Sequence, residues 1–247
     1  MVSLNTMSND YFQFKRFRVC HQNSAMKVGT DGVLIGCWCS VDSSIKRILD
    51  VGCGSGLISL ILAQRTEGTN ASITAIDIDA DSHAQAIENV EQSMWNDRVS
   101  VKHISLQDFC KSHSGKFDLI VSNPPFFVNS LKAPDSARNN SRHCDTLSHE
   151  ELLKCCSELL VEGGKLAVIL PTIESERLVQ MSYIYGLTPS RICVVGSSEK
   201  KQDIRRMVEL TKTNQIIECD KQELIIHKGG YYSNEYRNLT RDFYLKF

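Results

Sequence analysis

The chain has 247 residues, 42% hydrophobic and 23% charged, with 28 Lys and Arg against 29 Asp and Glu for a formal net charge of −1. A chain of that length and composition can bury a sizeable core as one α/β domain or two small ones, and its balance excludes a strongly basic nucleic-acid wrapper while leaving room for a local basic face. The longest apolar stretches, Gly32 to Cys39 and Leu57 to Ala63, fall well short of the ~18 residues needed to cross a bilayer, and the first ten residues lack an apolar signal core, so a cytoplasmic location with no membrane contact is expected.

In chain order, Tyr11 to His21 alternates aromatics with Lys15, Arg16 and Arg18 and predicts a strand or hairpin capping one end of a sheet. From there β-branched runs alternate with helical patterns, which implies βαβ units. The predicted strands are Ile45 to Val51, Ser72 to Asp77, Val99 to Ile104, Phe117 to Ser122, Lys165 to Leu170, Thr188 to Val195 and Arg206 to Thr211. Helices are expected over Leu57 to Arg65, Ala80 to Trp95, His149 to Leu160 and Glu174 to Tyr185. The result is a three-layer α/β domain over residues 45–247 with a seven-stranded, mostly parallel sheet, preceded by a cap segment over residues 1–44. Only a short polar loop separates the last two strands, so they are expected to form an antiparallel hairpin at the sheet edge. The polar segment from Phe127 to Leu147 lacks periodicity, and a loop that long inside a domain is usually functional or disordered. The ten cysteines lie mostly in apolar runs without C-x-x-C spacing, so they are expected to be reduced packing residues, with no metal site.

The sharpest motif is Ile-Leu-Asp-Val-Gly-Cys-Gly-Ser-Gly, from Ile48 to Gly56, leaving a buried strand and entering a helix. Gly52, Gly54 and Gly56 let the backbone turn tightly and approach a ligand. Their spacing is G-x-G-x-G, not the G-x-G-x-x-G that serves a pyrophosphate. Asp50 just ahead would repel phosphate and attract a cation, which favours a sulfonium or ammonium ligand. The next strand ends on Asp77, where a doubly wound fold places an acid for ribose hydroxyls. After the third strand, Asp108 is placed to accept from an adenine amine, with Phe109 packing on the base. Each Asp alone could simply cap a helix; together, behind the loop, they describe a site for S-adenosylmethionine.

The fourth strand runs directly into Asn123-Pro124-Pro125-Phe126. Each proline biases the residue before it toward extended backbone, so Asn123 and Pro124 are held at the carboxyl edge of the sheet, where open α/β folds bind ligands. An exocyclic amine on a base is a poor nucleophile because its lone pair is delocalised into the ring. If the Asn123 side-chain oxygen and the Pro124 carbonyl each accept one N–H, the lone pair is freed and aimed at a methyl donor. Phe126 would stack on the base, and no metal is required.

These residues resemble the class I S-adenosylmethionine-dependent methyltransferases with a Rossmann-like fold, and within them the amine-methylating group marked by Asn-Pro-Pro-aromatic. A narrower likeness covers Phe14 to Phe247. Phe14-Lys15-Arg16-Phe17, the block Met26-Lys27-Val28-Gly29-Thr30-Asp31-Gly32-Val33-Leu34, the motif Asn123 to Phe127, Tyr232-Ser233 and Asp242-Phe243-Tyr244-Leu245 are together similar to the bacterial tRNA1(Val) adenine-N6 methyltransferases. The resemblance implies methylation of the N6 amine of the adenine next to the anticodon, at tRNA position 37. It also implies that Lys27, Thr30 and Asp31 flank the cofactor and that Asn123 to Phe126 hold the base. A tRNA partner needs a concentrated basic surface, for which the candidates are Lys15, Arg16, Arg18, Arg138, Arg142, Lys200, Lys201, Arg205 and Arg206, with Arg237 and Arg241 near the end. Other acceptors of the same motif remain open, a guanine amine of ribosomal RNA or a protein glutamine, as does a non-catalytic RNA-binding scaffold.

Overall fold

The computed structural model describes residues 10–24, 27–124 and 147–247. A small antiparallel hairpin, β1 (Tyr11–Gln13) and β2 (Arg18–Cys20), comes first, followed by α1 (Thr30–Trp38). The alternating part comprises β3 (Arg47–Val51), α2 (Leu57–Arg65), β4 (Ser72–Asp77), α3 (Ala80–Glu91), β5 (Val99–His103), α4 (Leu106–Ser112) and β6 (Phe117–Ser122). Then come α5 (His149–Leu159), β7 (Leu160–Pro171), α6 (Thr172–Ser182), β8 (Leu187–Ser198), β9 (Arg205–Lys212), β10 (Asp220–Lys228), β11 (Tyr231–Tyr232) and α7 (Asn234–Thr240).

Among the described residues the main sheet has nine strands in the order β11-β10-β8-β9-β7-β6-β3-β4-β5. The expected class holds, with two corrections. The strand count is nine rather than seven, because β10 and β11 join the sheet. The antiparallel β8 and β9 hairpin is therefore not at the edge: β10 pairs parallel to β8 and extends the sheet beyond it. The sequence of β10, Asp-Lys-Gln-Glu-Leu-Ile-Ile-His-Lys, begins with four polar residues and has no clean alternation, so only pairing with β8 fixes it as a strand.

The helix α1 is a further addition to the expected elements. Gly32 through Trp38 are all buried, so it has no polar face and no amphipathic period to reveal it. Two glycines let it pack tightly: a Cβ at Gly36 would meet the Ile61 side chain of α2 at 3.1 Å. α3 ends at Glu91 rather than at Trp95, which is instead buried against Phe17 of the N-terminal hairpin.

Two apolar cores cover the two faces of the sheet. One joins α1, α2 and the hairpin residues Phe14, Phe17 and Val19 to the inner face of β3. The other packs α4, α5 and α6 on the opposite face. The nine cysteines among the described residues are free. Burial pushes the Cys39 thiol up to about 11, and those of Cys53 and Cys156 well above the ordinary range, so they stay neutral packing groups.

The topology positions the site. Strands β4 and β6 flank β3 on opposite sides, so the chain order reverses at β3 and a crevice opens at the carboxyl ends. Val51 pairs with Ile76 on one side and with Ser122 on the other. Gly52, Asp77 and Asn123, each the next residue along, thus emerge from three neighbouring strands at one level. The Ser122 hydroxyl donates to the Val51 carbonyl at 2.8 Å and locks the two ends together.

Candidate active site

The glycine loop turns out of β3 on the backbone that glycine permits: Gly52 has φ +69° and Gly54 φ +54°, a region that costs other L residues about 1–2 kcal/mol. Among the described residues a Cβ at Gly52 would meet nothing within 4 Å, so on that side the loop offers backbone to a ligand. Its far side is anchored by Gly52 N and Cys53 N, which donate to the Ile76 carbonyl at 2.9 and 3.1 Å.

Asp50 sits behind this loop at 0% exposure. Its Oδ2 accepts the Ser59 hydroxyl at 2.6 Å, while Oδ1 has no hydrogen-bond partner among the described residues. Burial raises its carboxyl to about 7, the Ser59 bonds pull the other way, and the negative charge of Asp77 adds to the rise. A buried carboxylate with one oxygen unsatisfied is stabilised by a cationic ligand, the polarity that the sequence suggests.

Asp77 uses its carboxylate to shape the loop. Oδ2 accepts Gly54 N at 2.7 Å and Oδ1 accepts Asp79 N at 2.9 Å. Each oxygen keeps a further lone pair for ribose hydroxyls. Beside it, Ile78 is half exposed, an apolar surface for a planar base.

Asp108 and Phe109 divide. Asp108 is exposed in the first turn of α4, with its carboxylate held by Lys111 at 3.1 Å and the Ser105 hydroxyl at 2.9 Å, which together keep its pKa below the usual range. Phe109 is 2% exposed and turned into the second core, stacked on His113 at 4.6 Å. Its ring therefore packs protein rather than a base, a correction to the sequence expectation. Consecutive residues of a helix point about 100° apart, so an exposed Asp108 carries Phe109 inward.

At the end of β6, the Asn123 side-chain Oδ1 is buried and has no donor partner among the described residues; the neighbouring Pro124 is buried as well. A buried amide oxygen left unsatisfied costs about 1–3 kcal/mol, a cost that a ligand N–H removes. Met26, Pro125, Phe126, Phe127, Arg138 and Arg142 lie outside the described residues.

Sequence reasoning missed the brace that joins the N-terminal hairpin to this site. Asn89 of α3 donates to the Cys20 carbonyl at 2.7 Å and the Ser55 carbonyl at 2.8 Å, and accepts Cys20 N at 2.8 Å. Gln85 accepts Asn23 N at 3.3 Å, and the Ser24 hydroxyl lies 3.7 Å from where a Gly54 Cβ would be. The described residues Cys20 to Ser24 thus lie over the glycine loop. The signal available was two buried amides at helical spacing. Lys27 and Thr30 are exposed, and Asp31 opens α1 in an ion pair with Arg205 at 2.9 Å.

The structure does not bring the basic candidates together at one rim. Arg16 is bound to Glu67, just past the end of α2. That nine-residue helix leads directly away from the glycine loop and spans ~14 Å, so Arg16 belongs to the opposite edge of the sheet. Lys15 is spent on the carbonyls of Arg241 and Phe247, at 2.6 and 2.8 Å. Arg206 is held by Asp203 and Glu176, at 2.8 and 2.9 Å. Arg18 lies 4.2 Å over the Tyr11 ring. Lys200 and Lys201 remain exposed without a carboxylate partner among the described residues. The sequence gives no sign of these pairings, since each acid is remote in the chain or hidden in a loop.

The methyltransferase small domain model matches residues 38–182, more than half of the chain. A tRNA1(Val) (adenine(37)-N6)-methyltransferase of Bacteroides fragilis is 45% identical over 245 residues, covering 97% of this chain and 100% of the relative. Among solved structures, one from Agrobacterium tumefaciens described as a predicted O-methyltransferase superposes with TM-score 0.69 at 16% identity, over 86% of this chain and 96% of that one. A Listeria monocytogenes structure described as a candidate class I S-adenosylmethionine-dependent methyltransferase gives TM-score 0.55 at 11% identity, over 85% of this chain and 65% of that one. At such identities the two structures speak for the fold, and the sequence match carries the family. With the glycine loop, Asp77 and Asn123 at one level, and near full-length identity to its relatives, the chain belongs to the methyltransferase small domain family and, within it, to the tRNA1(Val) (adenine(37)-N6)-methyltransferases.

Proposed function

We propose that the protein transfers a methyl group from S-adenosylmethionine to the exocyclic N6 amine of an adenine in tRNA, with adenine 37 of tRNA1(Val) as the acceptor. The single observation that carries this reading is the buried Oδ1 of Asn123 beside Pro124, without a partner among the described residues and level with the glycine loop and Asp77 across β3. The near full-length relatives support the same acceptor.

The residues present fit the cofactor. The backbone at Gly52 takes its close approach, Asp77 takes ribose hydroxyls, and Asp50 supplies negative charge to its cationic end. When bound, it supplies a methyl group on a positively charged sulfur. The protein's part is to prepare the amine. Asn123 Oδ1 and the Pro124 carbonyl each accept one N–H, which draws the nitrogen toward tetrahedral geometry and aims its lone pair at the methyl carbon. With the cofactor bound, its methyl group would pass to that nitrogen and leave the cofactor as a neutral thioether, and Asn123 Oδ1 or the Pro124 carbonyl would pass the surplus amine proton to water. Positioning and fixed dipoles of this kind account for most of the rate in such transfers. The adenine must leave its stack to reach Asn123, at a cost that is lower in a single-stranded loop. We read residues 1–44 as a cap segment packing on the catalytic domain, a reading that the Asn89 brace supports.

The test is to incubate the protein with labelled S-adenosylmethionine and bulk tRNA and to identify the modified nucleoside by mass spectrometry. N6-methyladenosine in one valine tRNA is expected. Label confined to protein or ribosomal RNA would overturn the reading.

A further inference from the structure

The proposed function leaves one large feature unused. A cavity of about 780 Å³ opens between the N-terminal hairpin, the start of α1 and the carboxyl ends of β8 and β10. That volume is in the range of pockets that hold small organic groups. Its C-terminal wall is a file of rings: Tyr232 stacks on His227 at 4.6 Å and on Tyr236 at 5.2 Å. On the hairpin, Tyr11 lines the same cavity with the Arg18 guanidinium 4.2 Å from its ring centroid. Tyr11 and Tyr232 are each 43% exposed.

Three features together identify the occupant. Rings on two walls present flat apolar surface, which suits a planar group. Cations stand beside them, Arg18 at Tyr11 and Lys246 in the lining, while Arg205 is paired with Asp31, and such a combination of stacking surface and positive charge suits single-stranded nucleic acid. Position is the third. Strands β8 and β10 run parallel to β6, so their carboxyl ends lie on the same edge as Asn123. Counting strands across the sheet, the cavity is ~14–19 Å from the end of β6 at ~4.8 Å per strand, within reach of nucleotides flanking the target. The two regions are joined physically, because Asp31 and Arg205, ion-paired at 2.9 Å, both line the cavity, and Asp31 lies in the first turn of α1, next to Thr30.

We infer that this cavity receives an unpaired base of the RNA substrate that neighbours the methylated adenine, stacked between Tyr11 and the file of His227, Tyr232 and Tyr236. The inference rests on the proposed RNA activity and adds a second subsite to it. A base held here fixes the strand on both sides of the flipped adenine, so recognition depends on the loop around the target as well as on the target.

The experiment compares wild type, Tyr11→Ala, Tyr232→Ala and Tyr232→Phe for tRNA binding by filter retention, for methylation kinetics with labelled S-adenosylmethionine, and for cofactor affinity by calorimetry. Each alanine variant is expected to weaken tRNA binding and raise KM by roughly 5- to 150-fold, the usual effect of losing one base stack, with kcat and cofactor affinity unchanged. Tyr232→Phe keeps the ring and is expected to behave as wild type. Should Tyr232→Ala fail to fold, Tyr11→Ala, at the exposed start of β1, decides alone. Folded alanine variants that bind and methylate tRNA as wild type does would overturn the inference and leave the proposed function standing. Wild type that binds S-adenosylmethionine but neither binds nor methylates tRNA would overturn both.

Discussion

Replacing Asp50 by Asn tests the electrostatics of the cofactor site without changing its shape. The carboxyl is fully buried and raised to about 7 from an ordinary 3.8, with burial as the main cause. A raised carboxyl means that the folded state holds its proton over a pH range in which the unfolded chain has released it. Stability from this group is therefore fully present at low pH and is lost as pH rises through about 7. With these two values, the folded state without cofactor loses roughly 2–3 kcal/mol from this group between pH 5 and pH 8, since each tenfold difference in proton affinity between the folded and unfolded states is worth about 1.4 kcal/mol. An asparagine side chain cannot ionise, so urea unfolding of the Asp50→Asn variant should show a pH dependence flatter by roughly the same 2–3 kcal/mol. Other titrating groups are common to both proteins and cancel. Added S-adenosylmethionine should shrink the difference in wild type, because a cationic ligand favours the ionised carboxylate. Parallel stability profiles for the two proteins between pH 5 and pH 8 would refute the reasoning.

Three further outcomes are expected. Gly52→Ala should cost only about 1–2 kcal/mol of stability, from its positive φ, since a Cβ there meets nothing within 4 Å among the described residues; the new methyl is expected on the cofactor's side of the loop, so calorimetry should show much weaker S-adenosylmethionine binding, and unchanged affinity would remove Gly52 from the site. Asn123→Ala should lower kcat by ~10²- to 10³-fold, the usual effect of removing one polar group that acts on the transition state, with cofactor affinity kept; a parallel collapse of cofactor binding would reassign Asn123. Lys200→Gln with Lys201→Gln should reduce the salt slope of tRNA binding by ~1.4, at ~0.7 per single-strand phosphate contact, whereas Arg16→Gln, whose guanidinium is held by Glu67 away from the glycine loop, should leave it unchanged; the reverse pattern would place the RNA on the other edge.

The alternating core is legible in the sequence, because β3, β4 and β6 are buried runs bounded by glycine, aspartate or proline, and their ends coincide with functional residues. The elements α1 and β10 are not. α1 is apolar on every side, so periodicity has nothing to register, and the polar-led β10 is a strand because β8 offers it a partner. Phe109 shows the same limit at the level of a side chain: adjacency to Asp108 suggests a shared ligand, but helical geometry sends the two in different directions.

By itself the sequence determined the chemistry: G-x-G-x-G after a buried strand, an acid at the end of the next, and Asn-Pro-Pro-Phe after the fourth specify residue types whose physical properties suit a cationic methyl donor and an amine. Tertiary structure decided everything that depends on what stands opposite. It set Gly52, Asp77 and Asn123 at one level through the pairing of Val51 with Ile76 and Ser122. It left Oδ1 of Asp50 and Oδ1 of Asn123 buried without a partner among the described residues, and it held Lys15, Arg16, Arg205 and Arg206 of the expected basic rim on carboxylates or carbonyls. Charge is a property of composition, but whether a charge is available to a ligand depends on its neighbours, and those are brought together only by folding.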